Sequence, residues 1–399
     1  MDMMISLAAC CHVMGNCGHM TCHRTMYARV VWRLCAGGVH RLSARGATWR
    51  TASRGAPAAP RPRVPSMSRV LYSGRREGSY KSSCRPPFIL LSAAAFSLFS
   101  KLEEDKNEEL TLAEENIVYH LKKAKLNIMK GEMEEAEEIL HKTLRLAHEC
   151  ESKRAIIYTY DLMANLAFLR GDYDSTEKLF KTTLIYMIDG GVKQDDNSFI
   201  EISLKMASIY AARDQNDLAV AGFQFCIMSL DEKIKKEKEL SEETLTAEER
   251  TNTRLLLGLC LDSYARYLLA NSQLLHAQTM YEKALQICRE EQGELHPQTV
   301  TLLSDLATVL EAQGRFDEAY TYVKQALDVA QQTEHPNQHV ILGNMAMILL
   351  HQEHLADAER IFKEALTKAE EKKDSWSIIY IQKGLSELTE RKKHKEQNV

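Results

Sequence analysis

The stretch LSDLATVLEAQGRFDEAYTYVKQAL, residues 303–327, predicts two antiparallel helices joined by a tight turn. Ala307 on the first half, and Ala319 and Ala326 on the second, are small enough to let the helices approach closely. Gly314 falls between the halves, where glycine allows the positive φ that ends a helix. The stretch therefore predicts a helical hairpin.

The same register recurs five more times along the chain. Three units match it well, around Ala265, Ala307 and Ala346, and three match loosely, around Ala124, Ala164 and Ala207. A single match to so degenerate a pattern would mean little, but six in register indicate a repeat protein. The turns between paired helices are predicted at Gly131, Gly171, Asp214, Ser272, Gly314 and Glu353, mostly about 40 residues apart.

These units resemble the tetratricopeptide repeat family, in the longer variant found in kinesin light chains. The resemblance implies an all-α fold, a right-handed superhelical solenoid of about six helix pairs plus a capping helix, spanning residues 117–390. Pro297 is placed to start one helix, and Thr246 with Glu249 predicts a capping box that starts another. The long connection at 231–253 is predicted as an extended helix and a loop, and residues 391–399 as a frayed basic tail.

The charge distribution separates a leader from the body. Residues 1–85 carry 14 Lys and Arg against two acidic residues, whereas the remainder has a net charge of −16. An Arg-rich, acid-poor start is typical of a mitochondrial transit leader, disordered before its removal between about residues 50 and 85. A nucleic-acid-binding tail is the alternative, but no aromatic residues are interleaved with the arginines in a stacking pattern.

Residues 86–101 form a short hydrophobic segment whose core, FILLSAAAFSLFS at 88–100, has no charge. Thirteen helical residues span about 20 Å, less than the roughly 30 Å of a bilayer core, so a membrane-contacting or sorting segment is favoured over a stable span. The alternative is a buried first helix of the solenoid. The basic leader before it and the acidic linker after it, 102–116, predict that the repeats face the intermembrane space.

Catalytic and metal-binding motifs are absent from the sequence. It has no phosphate-binding loop, dinucleotide fingerprint, nucleophile elbow or H-E-x-x-H. The pairs His335/His339 and His351/His354 are interpreted as solvated surface residues, and the dispersed body cysteines as small buried residues. The sequence therefore predicts a protein without catalytic, metal-binding or cofactor-binding residues.

Repeat solenoids bind through an extended concave surface, which in this family comes from the first helix of each unit. Alignment of the units on their alanines predicts a peptide-binding groove. Its predicted residues are Leu121, Lys125, Asp161, Asn165, Phe168, Leu204, Ser208, Asp262, Arg266 and Leu269. The clamp by which some family members hold chaperone C-termini needs a lysine where Asp161 stands, so chaperone-tail binding is disfavoured.

Four stretches, at 158–171, 201–212, 279–287 and 296–320, are similar to a mitochondrial branch of the family. That resemblance implies residence at the inner membrane, and residues 88–100 are the segment expected to contact it. It also implies binding to respiratory complex III and help in clearing fragments of its Rieske iron–sulfur subunit, with no nucleic-acid partner. The alternative, a cytosolic adaptor of the kinesin-light-chain kind, needs no Arg-rich leader.

Overall fold

The computed structural model describes residues 112–240 and 245–397, which form thirteen α-helices and no strand. The helices are α1 Leu112–Lys130, α2 Met133–Glu149, α3 Lys153–Leu169, α4 Tyr173–Asp189, α5 Asn197–Ala212, α6 Asn216–Glu237, α7 Ala247–Ala270, α8 Leu274–Gln292, α9 Pro297–Ala312, α10 Phe316–Gln332, α11 Gln338–His351, α12 Leu355–Glu371 and α13 Ser375–Gln397. They make six hairpins, called units one to six, plus one further helix. The predicted six helix pairs with a capping helix are confirmed.

Each helix packs on the next, and first helices of several neighbouring units also contact each other, as α9 and α11 do. The aligned small residues make this packing close, because all are at most 1% exposed in both helices of every unit. On the first helices these residues are Ala124, Ala164, Ala207, Ala265, Ala307 and Ala346. On the second helices they are Ala136, Thr176, Ala219, Ala277, Ala319 and Ala358.

Unit three has no room for another methyl group where its two helices meet. A Cβ on Gly222 would lie 2.7 Å from the Cβ of Ala207. We expect Gly222→Ala to lower the free energy of unfolding by about 1–3 kcal/mol, because the helices must move apart. Gly258→Ala is the matched control, since its Cβ would lie 3.4 Å from Ile287 Cγ2 and alanine favours the helix. Urea unfolding followed by circular dichroism measures both, and equal stabilities would contradict the prediction.

The helix boundaries follow the predicted signals. All six predicted turn residues have positive φ, including the non-glycine Asp214, Ser272 and Glu353. Pro297 is the first residue of α9. Thr246 and Glu249 form the expected capping box at the start of α7. The connection before α7 contains residues 241–244, which lie outside the described ranges.

Both ends of the repeat body differ from the prediction. Helix α1 begins at Leu112, inside the expected acidic linker. Residues 391–397 are helical, so the frayed basic tail is wrong over that range. The reason is contact with unit six and its turn: Arg391 Nη1 donates to the Leu350 carbonyl at 3.0 Å, Lys392 pairs with Glu359, and Lys395 Nζ lies 2.9 Å from Glu353.

No helix among the described residues is long and apolar enough to cross a membrane. The predicted leader, the apolar stretch 88–100 and the rest of the linker before Leu112 lie outside those residues. Among the body cysteines, three are buried as expected, whereas Cys150 is exposed.

Candidate binding groove

The ten predicted groove residues lie on α1, α3, α5 and α7, and they divide into two sets. Five are partly exposed: Lys125, Phe168, Ser208, Arg266 and Leu269. The other five are buried: Leu121, Asp161, Asn165, Leu204 and Asp262. The open part of the candidate groove is therefore the first set. The buried Asp161 and Asp262 connect neighbouring units, which the sequence did not predict.

A buried ionic cluster joins units two and three. Lys205 Nζ lies 2.7 Å from Asp161 Oδ1, and both side chains are 1% exposed. Glu201 Oε1 is 4.0 Å from the same ammonium group, and Asn165 Nδ2 donates to Asp161 Oδ2 at 3.1 Å. Pairing and hydrogen bonding of this kind offset the large cost of removing the charges from water. The cluster therefore fixes α3 against α5.

The cluster affects one neighbouring hydroxyl. Burial, and then the charges of Asp161 and Glu201, raise the pKa of Tyr158 well above its usual value. The Tyr158 hydroxyl therefore stays protonated and neutral, and it adds no charge to the cluster. The sequence signal for the cluster was Lys205 itself, a single lysine in the otherwise uncharged run SLKMASIY at 203–210.

A second cluster joins units four and five and reaches the surface. Arg266 binds both carboxylate oxygens of Asp262, with Nε–Oδ1 at 2.9 Å and Nη2–Oδ2 at 2.8 Å. Asp305 lies 3.3 Å from Nη2, and Gln298 Nε2 donates to Asp262 at 3.2 Å. The Arg266 side chain is 31% exposed, and its guanidinium group is held between the carboxylates of Asp262 and Asp305.

The histidine prediction was wrong for His335 and His339, which are buried. His339 Nε2 lies 3.0 Å from Asp374 Oδ2, and His335 Nε2 lies 3.3 Å from the Pro297 carbonyl. Burial lowers the pKa of His335. Both rings contact the neighbouring turn or helix start, so they are structural links rather than solvated residues. The described residues hold no cluster of three or more His, Cys, Asp or Glu able to bind a metal ion.

Six hairpins in one register, with aligned small residues and a row of first helices, define a tetratricopeptide-repeat protein. The family model described as "Tetratricopeptide repeat" matches residues 259–332 and 301–371. A solved Rap protein complexed with competence and sporulation factor has a TM-score of 0.50 and 16% identity, covering 76% of this chain and 82% of that one. At that identity the likeness concerns the fold alone.

Two relatives are much closer in sequence, and both are named "Tetratricopeptide repeat protein 19, mitochondrial". The rat protein is 53% identical over 302 residues, covering 75% of this chain and 82% of the relative. The human protein is 56% identical over 279 residues, covering 70% and 73% respectively. The chain belongs to the tetratricopeptide repeat protein 19 family. This kinship and the fold support a mitochondrial protein-binding scaffold.

Proposed function

We propose that the chain is a non-enzymatic scaffold at the mitochondrial inner membrane. It assists the assembly and maintenance of respiratory complex III and the turnover of fragments of its Rieske iron–sulfur subunit. The observation that supports this most is the identity of 53% and 56% to relatives named as mitochondrial. The proposed role at complex III is supported by the similarity of four repeat stretches to a mitochondrial branch of the family.

The geometry of the groove fits a protein segment as the ligand. Its open residues combine apolar surface, from Phe168 and Leu269, with polar side chains, from Lys125, Ser208 and Arg266. They are distributed over four helices in four units, so one ligand would have to be extended to reach them all. A partner segment that presents apolar side chains to Phe168 and Leu269 is the best match.

Co-purification tests the partner assignment directly. The tagged full chain should recover complex III subunits, including the Rieske protein, from detergent-solubilised mitochondria. The same tag on an unrelated protein of the intermembrane space is the control. Recovery of complex III no higher than in that control would contradict the proposal.

The side of the membrane is a separate prediction. The Arg-rich leader should stay in the matrix, because cations resist transfer out against the membrane potential. Residues 88–100 should hold the inner membrane only weakly, since thirteen residues are short for a stable span. We expect protease to digest the repeat body in mitochondria with ruptured outer and intact inner membranes. A protected body, alongside digested intermembrane-space markers, would contradict this topology. A diffuse cytosolic distribution of the C-terminally tagged protein would favour the adaptor alternative.

A further inference from the structure

The first helix of the repeat body exposes large apolar side chains on one side. Tyr119, Leu126 and Met129 of α1 are 60%, 48% and 77% exposed. Their spacings of seven and three residues place them on the same side of the helix. Large apolar residues grouped in this way on a surface helix indicate a contact surface.

Three lysines lie among these apolar residues. Lys122 and Lys123 follow Tyr119 by three and four residues, and Lys130 follows Leu126 by four. All three lysines are exposed. The acidic residues of α1 lie in its first turn, so none of them falls within this part of the helix. We call the six residues the α1 face: Tyr119, Lys122, Lys123, Leu126, Met129 and Lys130.

The repeat register indicates that the α1 face does not receive another repeat helix. In each later unit the second helix of the preceding unit packs against the first helix. The five residues equivalent to Lys123 are apolar or aromatic and none is exposed, namely Met163, Met206, Tyr264, Leu306 and Met345. A helix docked on α1 in the same way would cover Lys123, and a buried ammonium group without a carboxylate partner is costly. The α1 face therefore suits a surface that leaves its lysines charged and hydrated.

We propose that the α1 face binds the surface of an anionic phospholipid bilayer. A helix that lies at a membrane surface combines apolar and aromatic residues with lysines that reach the lipid phosphates. Leu126 and Met129 supply the apolar contact, and Tyr119 is a residue type enriched at the level of the headgroups. The methylene groups of the lysines can lie along the boundary while their ammonium groups stay in water. The α1 face has each of these parts on one helix.

The charge of the α1 face distinguishes this ligand from a second copy of the chain. Pairing α1 with α1 would bring the lysines of one copy close to those of the other, and like charges oppose such a contact. A bilayer instead supplies many phosphate groups on one surface. This suits lysines that are spread from residue 122 to residue 130, over about two helical turns.

The inference deepens the proposed residence at the inner membrane, and it rests on that proposal only for which bilayer is bound. It gives the repeat body a membrane contact of its own, made by unit one. It does not depend on the complex III proposal, because the test uses phospholipid vesicles alone. Failure of that test would leave recovery of complex III unaffected.

Photo-cross-linking of the purified full chain on vesicles tests this inference. A benzophenone amino acid replaces Leu126, and the vesicles contain equal parts of phosphatidylcholine and phosphatidylglycerol. We expect an adduct to lipid, detected by mass spectrometry, and much less of it on vesicles of phosphatidylcholine alone. The matched control places the same group at Leu275, which is 74% exposed on α8, and should give no lipid adduct. An adduct only to protein, equal lipid adducts at the two positions, or no adduct would overturn the proposal.

The same readout measures the contribution of the lysines. With the benzophenone at Leu126, the variant Lys122→Glu/Lys123→Glu should lower the yield of lipid adduct by about tenfold or more, because both charges then repel the phosphates. Lys283→Glu/Lys324→Glu is the control, since it changes the net charge equally at exposed lysines of α8 and α10. Its yield should equal that of the unmodified sequence. Equal yields from the two double variants would contradict binding through the α1 face.

Discussion

Replacing Lys205 with alanine should lower the free energy of unfolding by about 3–5 kcal/mol. The ammonium group pairs with Asp161 at 2.7 Å, with both side chains 1% exposed, and Glu201 lies 4.0 Å away. Removing the lysine leaves two carboxylates close together in a buried site. Such groups cannot remain charged without a partner except at a large cost. Urea unfolding followed by circular dichroism measures the loss.

The control for this variant is a lysine whose ion pair is nearer to water. Lys181 Nζ lies 2.7 Å from Glu177, with side chains 24% and 18% exposed. Lys181→Ala should cost less than about 1 kcal/mol, because the pair is partly exposed and Glu177 keeps its ion pair with Arg213 at 2.6 Å. If both variants lost the same small amount of stability, the buried cluster would not hold α3 against α5.

The second large effect concerns the small residues that allow the helices to meet. Ala358→Glu should unfold unit six locally, with a cost of several kcal/mol, because Ala358 is fully buried and the new carboxylate would have no partner. Ala284 and Ala319 are equally buried and should respond in the same way. Hydrogen exchange should show lost protection in α11 and α12 first.

Ala356→Glu is a closely matched control for this effect. Ala356 lies two residues earlier on the same helix and is exposed. A glutamate there lies in the first turn of α12, where the helix dipole favours negative charge, so stability should be unchanged or slightly higher. Native-like protection of unit six in Ala358→Glu would contradict the packing of the repeats described above.

The features that the sequence predicted well are local ones. Gly314, the buried Ala307 and Ala319, and the capping box at Thr246 each depend on residues within one hairpin. Their chemistry is restricted by the backbone or by the close approach of two helices. Because the pattern repeats, the units that match it loosely could be located from their register with the units that match it well.

The features that it missed depend on neighbouring units. Asp161 and Lys205 are 44 residues apart, and His339 and Asp374 are 35 apart. A charged residue on a first helix looks the same in sequence whether it faces water or the next unit. Arg391 and the helix beyond it are another case, since the acceptor at Leu350 belongs to unit six. To predict these contacts one must know which residues of neighbouring units face each other, and the repeat pattern alone does not give that.

The central claim is that the partly exposed groove residues capture complex III. Its most direct test compares recovery of complex III subunits by the double variant Phe168→Ala/Leu269→Ala with recovery by Leu275→Ala, which removes an exposed leucine outside the groove. Large apolar contacts contribute about 1–2 kcal/mol each, so the groove variant should lose about tenfold or more in recovery at unchanged helicity. Equal recovery by the two variants would contradict the account and place the binding surface elsewhere on the repeats.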